Sequence, residues 1–265
     1  MSRYFRAEIS ANIPLNDNHN LLSLTNLDPM DEPEPGQFYM VEVNQGYDPL
    51  LKRAFSLFRR TAEGIQILYR IQGKGTAILR NLKEGAVIRI LGPLGNGYPA
   101  APEEAIPVIL AGGIGIASVF PLIERFAGKA YVLYGARTGG DLFMIDELRG
   151  LSKELHLCTD DGSCSEKGNV VGLLHSLCAS RSSCLDHVKV YACGPKVMLR
   201  EAAKVVSSNC IKAWFSLEEH MACGIGACLG CVTKIKSARP GEEQAFEYQR
   251  VCKEGPVFDA EDIVW

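Results

Sequence analysis

The chain has 265 residues, 47% hydrophobic and 22% charged, which is ordinary for a globular protein and long enough for more than one core. Its formal net charge of -3 offers no basic face for nucleic acid or an anionic membrane. The opening "MSRYFRAEIS" lacks the apolar core of a secretory signal, so the expectation is a cytoplasmic protein whose ten cysteines stay reduced.

In chain order, "YFRAEISANI", "GQFYMVEV", "RAFSLF", "GIQILYRI" and "AVIRILGPLG" are short runs rich in aromatic and β-branched residues, separated by Gly- and Pro-bearing connections. They predict an antiparallel β-barrel or sandwich over residues 1–100. Only "TAILRNL", residues 76–82, reads as helix there. After a linker "PAAPEEA", residues 99–105, strands and helices alternate. "IPVILAGG", "KAYVLYGAR", "ELHLCTDDG" and "HVKVYACGP" are the strands. "IASVFPLIERFA", "DELRGL", "VVGLLHSLCAS" and "KVMLREAAKVVSSN" are the helices. This alternation predicts a parallel, doubly wound sheet over residues 101–215. The uncharged stretch 105–123 approaches membrane-spanning length, but Pro107, Pro121 and its glycines make strand, turn and helix the expected reading. Residues 216–265 differ in composition and form a third unit.

Several of the connections carry chemistry. In "VILAGGIGIA", Gly112, Gly113 and Gly115 fall between a strand and a helix, where a bare backbone can approach a phosphate. The spacing is not the full G-x-G-x-x-G, and a ligand-free tight turn fits the glycines equally. In "YACGPKVM", Cys193, Gly194 and Pro195 sit at a strand's carboxyl end, the edge where open α/β sheets bind ligands. "GKGTAIL" offers Gly75 and Thr76 at a second helix start, and "GPLGNGY" is a glycine-rich loop.

The order of these signals is more informative than any one of them. An Arg-x-aromatic-Ser strand, a glycine–helix phosphate turn, "GPLG", "AGGIG" and "CGP" together resemble the ferredoxin-NADP reductase superfamily. That resemblance implies a flavin-binding antiparallel barrel followed by a nicotinamide-binding α/β domain. It would make Arg53 a ligand of the FAD pyrophosphate, with Phe55, Ser56 and Leu57 beside the flavin ring and Gly75 and Thr76 at its phosphates. Gly112, Gly113 and Gly115 would lie under the pyrophosphate of NAD. Cys193 would stand near the nicotinamide as a catalytic wall, flanked by Gly194 and Pro195.

Cys223, Cys228, Cys231 and Cys252 give C-x4-C-x2-C-x20-C, the spacing of plant-type 2Fe–2S sites. Glycines among them let N–H groups wrap close around thiolate and sulfide. Four thiolates also suit zinc, although zinc ribbons use two C-x2-C knuckles and only one short pair exists here. Beside a flavin domain, iron–sulfur is the expected metal centre. "SLEEHMACGIGACLGCV" followed by "VCKEGPVF" is similar to the electron-transfer subunits of NAD-linked, two-subunit dihydroorotate dehydrogenases. Ser118 is a departure, since related chains often carry proline soon after the "GGIG" turn. The resemblance implies a partner subunit containing FMN, arranged as a heterotetramer, that oxidises dihydroorotate to orotate. Electrons would enter through the 2Fe–2S cluster and leave from FAD as hydride to NAD+. Two alternatives stand beside it: a related subunit serving a sulfhydrogenase or ferredoxin-NADP oxidoreductase, and a zinc-stapled, non-redox nucleotide-binding module.

Other residues suggest less. The five histidines (His19, His156, His175, His187, His220) are dispersed and read as structural. Asp160 or Asp161 could touch the nucleotide or simply shape a turn. Arg137 is a candidate for the adenosine half, and Trp265 for a cap on the flavin. The polar "KSARPGEEQ" reads as a solvated loop.

Overall fold

A computed structural model describes residues 3–44, 46–181, 184–237 and 246–265; most of "KSARPGEEQ" lies outside the described residues. Among the described residues the strands form two seven-stranded sheets and one two-stranded ribbon.

The first sheet contains β1 (Arg3–Asn16), β2 (His19–Asn26), β3 (Phe38–Val41), β4 (Arg53–Ser56), β5 (Arg59–Arg60), β6 (Gly64–Arg70) and β7 (Val87–Leu94), with helix α1 (Lys74–Asn81). Its order is β4-β3-β7-β1-β2-β6-β5, so the two edges are the two halves of one stretch, residues 53–60. Leu57 N bonds Gln37 O on one side and Phe58 N bonds Gln66 O on the other, which closes the sheet into a barrel. Strand β2 is absent from the runs expected above because His19, Asn20 and Ser23 break its apolar pattern. Pairing to both β1 and β6 holds it in the sheet.

The second sheet contains β8 (Ile106–Gly112), β9 (Tyr131–Ala136), β10 (Glu154–Thr159), β11 (Glu166–Lys167), β12 (Val188–Cys193) and β13 (Lys212–Ser216). Helices α2 (Ile116–Arg125), α3 (Ile145–Leu151), α4 (Val170–Ser180) and α5 (Lys196–Ser208) connect them. The short hairpin β14 (Val232–Lys236) and β15 (Phe246–Arg250) follows, and β16 (Val257–Asp259) returns to pair antiparallel with β13. The order β11-β10-β9-β8-β12-β13-β16 reverses its winding between β8 and β12. That switch point opens a crevice at the strands' carboxyl ends. The apolar stretch 105–123 becomes β8, a glycine turn and α2, and among the described residues no helix is long and apolar enough to cross a membrane.

Barrel and second sheet meet across a mixed interface. Arg59 on β5 donates to Glu124 of α2 at 2.7 Å and to Glu147 of α3, while its guanidinium lies 4.7 Å from the centroid of Phe120. His19 is buried there against Phe143, with centroids 4.8 Å apart, and Asn16 Nδ2 donates to Gly140 O at 2.8 Å. Arg59→Ala removes two charged hydrogen bonds and the ring contact together. Urea unfolding monitored by tryptophan fluorescence should register a loss of about 1–3 kcal/mol.

Candidate cofactor site

The barrel, the second sheet and the cysteine-bearing segment converge on a cavity of about 970 Å³, at the upper end of the size of cofactor pockets. Arg53, Phe55, Ser56, Gly75 and Thr76 line one side, Ile114 and Ala117 another, and Ser216 to Ala222 with Gly230 a third. Leu57 does not line it; the side chain is buried in the barrel core.

Arg53 is half-buried at the start of β4, and its Nη1 donates to Leu51 O at 2.6 Å. Gly75 sits under its guanidinium so closely that a Cβ there would lie 2.4 Å from Arg53 Nε. Thr76 Oγ1 accepts from the N–H groups of Gln72 and Gly73 at 2.9 and 3.1 Å, tying off the entry to α1. Phe55 meets Tyr69 edge to face at 5.5 Å between centroids. Tyr69, Arg70 and Gln72, at the carboxyl end of β6, also line the cavity. Sequence reasoning passed over them, although their place directly before "GKGT" is the signal that could have found them. Glu218 lies open to the same space, and enclosure by the cavity walls raises its carboxyl above the ordinary range.

At the switch point the three glycines divide the work. A Cβ on Gly115 would fall 2.3 Å from Cys193 O, and one on Gly112 would fall 2.4 Å from Met198 Sδ. Gly115 lets the turn after β8 settle on the end of β12, and Gly112 admits Met198 and Pro195 at the start of α5. Gly113 is left-handed at φ +53°, and a Cβ there would meet nothing within 4 Å. Its bare face therefore borders open space, the cradle that a dinucleotide phosphate requires. Gly194 and Pro195 close the other side of the turn against Gly112. Cys193 is 1% exposed; burial first, and then the charge of Glu218, push its thiol up to about 12, so it stays a neutral S–H.

The four cysteines of the C-terminal segment are gathered in two pairs. Cys252 N lies 3.4 Å from Cys231 Sγ, and the Cys223 and Cys228 side chains are hydrogen-bonded neighbours. Burial works against ionising Cys223, but the N–H groups of Ile225, Cys228 and Ala227 outweigh it and lower its pKa. Gly226 N donates to Cys252 Sγ at 3.1 Å, although burial and the neighbouring Cys231 keep that thiol raised. Two thiol pairs with inward N–H groups suit a binuclear iron–sulfur cluster, in which each iron takes two thiolates. Leu229 and Gly224, both at positive φ, shape the wrap, and Gly224 packs on Met40 of the barrel.

The remaining candidates stand apart. Asp161 Oδ1 accepts from Ser163 N and Oγ at 2.9 and 2.6 Å, an Asx turn, while Asp160 and Arg137 are exposed. Trp265 packs toward Phe215, with centroids 6.4 Å apart, and is not part of the cavity wall.

One cofactor-sized cavity shared by a closed barrel, a doubly wound sheet and a cysteine-bearing segment defines a ferredoxin-reductase-like electron-transfer protein. Solved structures agree on the fold. The NADH-dependent reduced ferredoxin-NADP oxidoreductase superposes with a TM-score of 0.82 at 24% identity, over 98% of this chain and 90% of that one. A ferredoxin NADP+ reductase from Neisseria gonorrhoeae gives 0.64 at 17% identity, over 77% and 91%. Residues 109–204 match the oxidoreductase NAD-binding domain, and residues 218–264 the iron-sulfur cluster binding domain of dihydroorotate dehydrogenase B. The electron transfer subunit of dihydroorotate dehydrogenase B (NAD(+)) from Caldanaerobacter subterraneus subsp. tengcongensis is 37% identical over 88% of both chains. That of Geobacillus kaustophilus is 39% identical over 87% of both. The chain belongs to this family of dihydroorotate dehydrogenase B electron transfer subunits.

Two glycine substitutions separate packing from ligand binding. Gly115→Ala forces a side chain onto the Cys193 carbonyl and should cost about 1–3 kcal/mol in thermal or urea unfolding. Gly113→Ala meets no protein atom, so its stability cost stays near the left-handed penalty of about 1–2 kcal/mol. Titration should instead register weakened NADH binding with FAD content unchanged.

Proposed function

We propose that this chain is the electron-transfer subunit of an NAD-dependent dihydroorotate dehydrogenase, linking an FMN-containing catalytic partner to NAD+ in pyrimidine biosynthesis. The observation that carries the reading is the contiguity of its parts. Residues flanking Cys223 and Cys231, the Arg53–Ser56 strand and Ile114 of the glycine turn all line the same cavity.

Residues 1–100 would bind FAD, 101–215 NAD and 216–265 the cluster. Arg53, Gly75 and Thr76 would neutralise and cradle the FAD phosphates, while Phe55 and Ser56 face its ring. Gly112, Gly113, Gly115, Gly194 and Pro195 would admit the dinucleotide, and Cys193 would back the nicotinamide pocket as a neutral thiol. Cys223, Cys228, Cys231 and Cys252 would hold the 2Fe–2S cluster. Flavin, when bound, supplies the exchange between single electrons and hydride that a cluster and a nicotinamide cannot make directly. Exposed Ile225 and Leu229 beside exposed Cys228 leave the cysteine loop open for docking of the catalytic subunit. A cytoplasmic heterotetramer is the expected assembly. The names of the close relatives favour this partner over a sulfhydrogenase or a ferredoxin-NADP oxidoreductase.

Anaerobically purified protein should carry flavin bands and broad absorption bleached by dithionite; a colourless protein with one zinc would sink the reading. In Cys228→Ser, NADH should still reduce FAD and an artificial dye, while turnover coupled to the catalytic partner is lost. Retained coupled turnover would take the cluster off the path. NADH should also outcompete NADPH in stopped-flow flavin reduction, because no clear Arg/Lys cluster for a 2′-phosphate stands out in the sequence of the nucleotide-binding segment.

A further inference from the structure

Behind the crevice, four polar side chains meet out of solvent. Ser118 Oγ donates to Ser216 Oγ across 3.2 Å, and these residues are 1% and 3% exposed. The Cys193 thiol and the Tyr98 hydroxyl are buried beside the same two serines. Tyr98 also donates to Ala192 O at 3.2 Å, the carbonyl immediately before Cys193.

Apolar side chains could fill this volume without desolvating hydroxyls, so packing alone gives no reason for the group. Hydrogen bonds add direction, and here they tie four pieces of chain in two adjacent pairs: the crossing from barrel to sheet to the end of β12, and the first turn of α2 to the end of β13. Three of the four pieces lead to the candidate cofactor site. Helix α2 starts at the glycine turn, β12 ends at Cys193, and Ser216 lines the cavity just before the cysteine segment.

We propose that Ser118 and Ser216 are positioning residues for hydride transfer between NAD and FAD. Their hydrogen bond ties the first turn of α2 to the end of β13 beside Cys193, and thereby sets the approach of one ring to the other. In the step itself the C4–H bond of NADH breaks and an N–H bond forms on the flavin. NADH becomes NAD+ and FAD becomes FADH−, so atoms and charge balance. The proposal rests on the reading of Cys193 beside the nicotinamide.

The test uses the full chain loaded with FAD and cluster, as Ser118→Ala, Ser118→Thr and Cys193→Ala. Stopped-flow reduction by NADH gives the limiting rate and the Kd, and long-wavelength absorbance reports nicotinamide–flavin charge transfer. Ser118→Ala should lower the limiting rate about tenfold and weaken the charge-transfer band, with Kd within about twofold, because sub-ångström misplacement acts on the reacting geometry. Ser118→Thr should restore both. An unchanged rate and band in Ser118→Ala overturns the proposal, as does a loss that threonine fails to rescue. Where Ser118→Ala does not retain FAD, Ser216→Ala is judged by the same criteria. Cys193→Ala checks the underlying reading separately: an unchanged limiting rate there removes Cys193 from the nicotinamide wall, whatever Ser118→Ala does.

Discussion

The close approach of β8 to β12 at their carboxyl ends governs the rest of the molecule. Gly115, in the turn after β8, lies so near the Cys193 carbonyl that any side chain would collide with it, while Gly112 makes room for the Met198 side chain of α5. Because the sheet reverses its winding between these strands, the same contact sets the width of the crevice. It also fixes where α2 begins, how Ser118 faces Ser216, and where β13 releases the chain toward the cysteines.

From that point the architecture brings separate pieces to one cavity. The barrel closes through residues 53–60, whose two halves form opposite edges of one sheet, and this sets Arg53, Phe55 and Ser56 at its rim. The C-terminal segment then passes over the rim and returns. Leu217 N bonds Pro256 O, and Asn96 N bonds Gly255 O, so the segment is stitched to itself and to the end of β7. Gly224 rests on Met40, and β16 completes the second sheet. The third unit is therefore no appendage: its core residues Cys231, Val251 and Cys252 share one apolar cluster with Leu110 and Phe215.

Backbone N–H groups recur wherever negative charge is to be held. They point at Cys223 and Cys252, and the bare turn at Gly113 borders open crevice. Glycine supplies the left-handed backbone at Gly113, Gly224 and Gly226, and of these only Gly113 faces open space. Elsewhere in the chain glycines serve packing instead, as Gly112 and Gly115 do.

Much was legible in the sequence by itself. The switch from barrel-like strands to alternating strands and helices appears in hydrophobic periodicity, which is a local property. The cysteine spacing and the strand–glycine–helix turns are likewise local, so the candidate residues around Arg53, Gly113 and Cys223 could be named before any contact was known. What only the tertiary structure decided is which of them share a space. Pairing Cys231 with Cys252 requires a hairpin between them. Placing Tyr69 and Arg70 in the cavity while turning Leu57 into the barrel core depends on closure through β4 and β5. The meeting of Tyr98, Ser118, Cys193 and Ser216 joins residues spread over more than a hundred positions. Periodicity records which face of an element is buried; it carries no information about which distant element covers that face.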